Sequence, residues 1–90
     1  MPAQRTENSL QTMYKAMRDV IAATSLPMTG LAVGAVNDIT VGETRPMGVV
    51  RLLVLAQLDP GAADAAQRLV GLIVADIVPE VRAMISAVKT

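Results

Sequence analysis

Apolar positions recur with a helical period in three stretches of the chain, while a fourth stretch fits helix or strand equally well. From Asn8 onward, Leu10, Met13, Tyr14, Met17, Val20 and Ile21 return at three- and four-residue steps, with Gln11, Lys15, Arg18 and Asp19 on the other face. Asn8 is a favourable N-cap residue. Pro27 ends the run at or before Leu26, because the residue ahead of a proline is pushed out of the α region. The pattern predicts a first helix from Asn8 whose stripe, Tyr14 included, is core, preceded by a loose arm at residues 1–7.

A second helix is signalled by Asp59 and Pro60, the residue types favoured at the N-cap and the first helical position. Ala62, Ala66, Leu69, Val70, Ile73 and Ile77 line one side of it, and Asp64, Gln67, Arg68 and Gly71 the other. The stripe crosses Gly71 without a change of phase, so the helix is expected to run to Val78. The alternative is a stop at Gly71 that frees residues 72–78 as a strand. Pro79 then kinks or divides the helix. Beyond it, Val81, Met84, Ile85 and Val88 form a further stripe.

The middle of the chain reads differently. Residues 28–47 contain three glycines and Pro46, and the runs LAVGAV and ITV flank Asn37-Asp38. That dipeptide can supply the positive φ angles of a two-residue turn, so a small hairpin is expected, with an irregular loop as the alternative. The stretch GVVRLLVLAQL, residues 48–58, would be apolar nearly all round as a helix. As a strand it puts Val50, Leu52, Val54, Ala56 and Leu58 on one face and Arg51 and Gln57 on the other. A helix reaching Leu58 leaves only Asp59 to reverse the chain, whereas helix–helix connections usually take about 2–8 residues. A strand is therefore preferred. The expected fold is α+β in one domain, residues 1–90: an N-terminal helix, a small antiparallel hairpin and strand region, and two C-terminal helices divided at a proline. An all-α bundle is the alternative. The order of a strand and two helices over residues 48–88 resembles that of small RNA-phage coat proteins, without their long N-terminal sheet and their aromatic residues.

Composition changes this picture in one direction. Hydrophobic residues make up 52% of the 90 and charged residues 18%, with a mean hydropathy of +0.45, which excludes a disordered body. Tyr14 is the only aromatic, so the core must be assembled from small aliphatic pieces. A domain of this size buries only about 60% of its unfolded surface, and contacts between subunits are the usual way to cover an aliphatic excess. The net charge is zero and the basic residues stand singly. Neither a phosphate-tracking stripe nor an aromatic platform for bases is present, so nothing points to nucleic acid. The N-terminal MPAQRTENSLQ lacks the apolar segment of a secretion signal, and no apolar run approaches the ~18 residues of a membrane span. A soluble chain in the cytoplasm or within an assembled particle is expected.

Candidate chemistry is sparse. The chain has no His and no Cys, which removes the commonest general base, the best nucleophile and any thiolate metal site. Asp38 and Glu43 could approach a cation or a ligand amine, but their spacing fits no calcium loop. The plainer reading is solvated turn acids, with Glu43 pairing Arg45. Gly30 and Gly34 fit no phosphate-binding motif and read as turn and strand glycines. Asp76, within LIVADIVPE, is an ionisable group in apolar surroundings, and Arg51 is its candidate partner within or between subunits; the alternative is that both face water. The interface candidates are Arg51, Asp76, Leu52, Val54 and Met84. The expectation is a non-enzymatic, self-assembling subunit of coat, shell, filament or scaffold type, without a cofactor, whose partner is itself. The alternatives are an adaptor that binds another protein, and a small enzyme or ligand-binding domain with a site between subunits built from Arg51, Asp76, Asp38 or Glu43.

Overall fold

The computed structural model describes the backbone of residues 2–75 and, within that span, side chains from residue 10 onward. Four helices follow one another: α1, Pro2–Ala23; α2, Thr29–Val41; α3, Arg45–Leu58; and α4, residues 63–75. Short 3-10 turns at Leu26–Met28 and Pro60–Ala62 lead into α2 and α4. Among the described residues there is no strand, so the fold is all-α and not α+β. The helical span expected to continue to Val78, the break at Pro79 and the stripe from Val81 to Val88 lie outside the described residues.

Both expected β elements are helices. Asn37 and Asp38 lie inside α2, not at a hairpin turn, and residues 48–58 belong to α3. The likeness in order to the phage coat proteins therefore lapses. The counting argument against a helix at 48–58 took Pro60 as the start of the next helix. In fact residues 59–62 form the connection: Asp59 is extended, at φ −130° and ψ 90°, and the 3-10 turn after it completes the reversal. Four residues suffice, within the usual range for helix–helix connections.

At the other end of the pair, α2 stops at Gly42, whose positive φ of 88° favours a residue without a Cβ. The Thr44 hydroxyl donates to the Asp38 carbonyl at 2.8 Å, satisfying one of the carbonyls left open at the α2 terminus. Helix α1 starts at Pro2, through the stretch expected as an arm, so Asn8 lies within it and not at its start. Pro2 suits a first helical position, where a missing N–H costs no hydrogen bond.

The first and third connections meet at one end of the bundle. The Ser25 N–H, just after α1, donates to Asp59 Oδ2 at 2.7 Å. This ties the α1–α2 link to the α3–α4 link. Asp59 is buried, and donation from Ser25, its amide first and its hydroxyl second, holds the carboxyl below the usual carboxylate range. The sequence placed Asp59 correctly ahead of a proline-started turn. The Gly61 and Ala62 amides of that turn also lower the Asp59 carboxyl pKa, more weakly than Ser25 does.

The interior combines small and large apolar residues. Five of the twelve buried apolar residues described are alanines: Ala16, Ala32, Ala35, Ala62 and Ala66. Ile39, Leu52, Leu55, Leu69, Ile73 and Val20 supply the bulk, each stabilising by about 1.5–3 kcal/mol on burial. The α4 stripe read from the sequence is the observed one, since Ala62, Ala66, Leu69 and Ile73 are all fully buried. On α1 the inward face is rotated by a step. Ala16, Met17 and Val20 are buried, whereas Leu10, Tyr14 and Ile21 lie on its exposed flank. Tyr14 is therefore not a core residue.

Candidate functional site

Helix α3 has two faces. Its inner face is Gly48, Leu52 and Leu55, spaced i, i+4 and i+7, which places them on one side of a helix. The inner face of α2 is Ala32, Ala35 and Ile39. Where the two helices approach, a Cβ on Gly48 would lie 2.7 Å from Ile39 Cγ1 and 2.9 Å from the Ala35 carbonyl oxygen. The α2 backbone thus occupies the space a side chain would need, and only glycine allows the approach.

Beside this seam lies the one charge of the helical stretch 46–58, Arg51. Its stem passes over Gly34, where an added Cβ would stand 4.0 Å from Arg51 Cδ, and its guanidinium pairs with the Asp38 carboxylate. Gly34 and Asp38 are one turn apart on α2, so the stem lies over the glycine and the acid receives its head. The sequence reading gave Arg51 a different partner, Asp76, which lies outside the described residues. Asp38, taken there as a turn acid, is a helical residue that neutralises Arg51. Glu43 is exposed in the α2–α3 turn. Among the described residues no group of three or more acids could hold a metal ion.

The outer face of α3 carries Met47, Val50, Leu53, Val54 and Leu58, which are 41–61% exposed. Gln57 is the polar residue among them. Neighbours at three- and four-residue spacing share a helix side, so these form one continuous stripe about 17 Å long. Of the interface candidates, Val54 lies in this stripe and Arg51 at its edge. Leu52 has no exposed surface and belongs to the interior. Met84, like Asp76, lies outside the described residues. Sequence reasoning missed Met47, Val50, Leu53 and Leu58 as a group because strand alternation splits them between two faces. Their helical spacing was the signal that could have found them.

The acid–base inventory of this region is small. Arg51 is occupied by Asp38, and Asp59, the only other charged residue between Arg51 and Asp64, is buried on Ser25. What the α3 face can do is bury apolar surface. No helix among the described residues is long and apolar enough to cross a membrane. No protein-family model, curated protein or solved structure matches the chain.

Proposed function

We propose that this chain is a non-enzymatic structural subunit that assembles with copies of itself. The observation that carries the reading is the aliphatic outer face of α3, left exposed although Leu52 and Leu55 of the same helix are fully buried. A monomer has no use for five large aliphatic side chains on one side of one helix, and exposed apolar patches of a few hundred Å² mark interaction sites. The absence of His and Cys from the sequence weighs in the same direction, since an enzyme here would lack the usual bases and nucleophiles.

The test is the mass of the purified chain, by size-exclusion chromatography with light scattering across a hundredfold range of concentration. A multiple of the 9.4 kDa chain mass is expected. A species of the single-chain mass at every concentration would overturn the proposal.

A further inference from the structure

We infer that the occupant of the α3 outer face is the α3 of a second copy, packed antiparallel about a twofold axis near the middle of the stripe. This rests on the self-assembly reading and adds to it the surface, the symmetry and the register.

The charge pattern selects the partner. In a twofold contact every group near the axis meets its own twin, so any charge there faces a like charge. The outer face of α3 passes this condition. Met47, Val50, Leu53, Val54, Gln57 and Leu58 carry no charge, and the neighbouring Arg51 is turned onto Asp38 of its own chain. A charged partner would find nothing on this face to pair with. A lipid surface would call for a cluster of flanking basic residues and for interfacial aromatics; beside the stripe stand only Arg45 and Arg51, the latter paired with Asp38, and the stripe has no Trp or Tyr. An uncharged aliphatic face is complementary to itself. Two such faces together cover on the order of 1,000 Å², the lower bound for a specific contact.

The two ends of the stripe select the direction. The Met47 end adjoins Glu43 and Arg45, whereas the Leu58 end adjoins a turn whose only charge, Asp59, is buried. Parallel packing sets Glu43 against its twin and Arg45 against its twin. Antiparallel packing places each charged turn over the uncharged end of the other copy and opposes the two helix dipoles. The register then follows from the stripe. Met47 lies opposite the second copy's Leu58, Val50 opposite its Val54, and Leu53 opposite its twin.

Because the natural chain has no cysteine, single thiols can report this geometry without background. Leu53→Cys, Met47→Cys and Leu58→Cys variants would be treated with a short bismaleimide, and the mass of the untreated wild type measured alongside. Val54→Cys, also near the axis, serves if Leu53→Cys weakens the assembly. Leu53→Cys or Val54→Cys is expected to give mostly covalent dimer. Met47→Cys and Leu58→Cys should stay single alone and link when the two are mixed. Self-linking of both end variants would overturn the antiparallel register. An assembled wild type with no linking at any of these positions would remove the α3 face and leave self-assembly standing. A monomeric wild type would remove both.

Discussion

Toward the core, α3 presents Gly48, Leu52 and Leu55, all buried; away from it, Met47, Val50, Leu53, Val54 and Leu58, all exposed. The two sides are alike in hydrophobicity and differ in shape. The inner side contains the one residue without a side chain, and the α2 backbone sits where that side chain would be. The same sorting recurs elsewhere: Ala16 is buried while Tyr14 is exposed, and Ala32 and Ala35 are buried while Val33 is exposed. At the α2–α3 seam small residues, Gly48 and Ala35, let the helices approach, while Leu52, Leu55 and Ile39 fill the space beside them. The remaining large aliphatic groups of α3 lie on its exposed side.

The comparison is broken most strongly at the largest inner residues. Leu52→Ala, Leu69→Ala and Ile73→Ala each remove a fully buried side chain and should cost about 2–5 kcal/mol in urea denaturation. Leu53→Ala, one residue round the helix, should change monomer stability by no more than about 0.5 kcal/mol when measured at dilution. Equal costs at Leu52 and Leu53 would show that α3 is rotated from its observed position.

Glycines sharpen the same contrast. Gly48→Ala forces a Cβ against Ile39 and the Ala35 carbonyl and should cost about 1–3 kcal/mol. Gly30 and Gly71, also helical, have open space at the Cβ position. Alanine at either should stabilise by about 0.5–1 kcal/mol, through helix propensity alone. The opposite signs, read as shifts in denaturation midpoint, separate a glycine needed for packing from two that are not.

The tie between the two connections has a pH signature. The folded pKa of Asp59 lies below its unfolded value of about 3.9, so its contribution is fully present above that value. It is lost as pH falls through the folded pKa. Asp59→Asn should flatten the acid side of the stability–pH profile and lower the plateau at neutral pH by less than the loss of Leu52 does. An unchanged acid limb would show that the Ser25 hydrogen bond is not formed in solution. Arg51→Met leaves the largely buried Asp38 carboxylate without its partner and should cost about 1–3 kcal/mol.

Where large aliphatic residues alternate with charges, as in α4, the sequence was enough. Ala62, Ala66, Leu69 and Ile73 stood opposite Asp64, Gln67 and Arg68, and the unbroken phase across Gly71 favoured helix over a strand at 72–78. The end of α1 was readable for a local reason, the proline at position 27. Helices α2 and α3 were not readable in this way. Their β-branched residues, Asn37-Asp38 and the glycines at 30 and 34 favour strand or turn locally, and packing between the helices overrides that preference. In α3 the absence of polar residues removed the phase information, and the Gly48, Leu52, Leu55 spacing was masked by equally apolar neighbours. The Arg51–Asp38 pair was illegible for a related reason: its two residues become neighbours only once both segments are helical. For the candidate site, composition pointed to an aliphatic excess, and only the structure shows that five of the exposed large apolar residues line one side of α3.

The central claim is that this face, and no other, holds the assembly together. Sedimentation velocity across a concentration series tests it directly, comparing the wild type with a Val50→Ser, Val54→Ser double variant and with Arg68→Ser on the exposed polar side of α4. Helical circular dichroism should be the same in all three. The account predicts that wild type and Arg68→Ser sediment together as an oligomer, while the double variant sediments as a single chain. A double variant that remains folded and sediments with the wild type would contradict it.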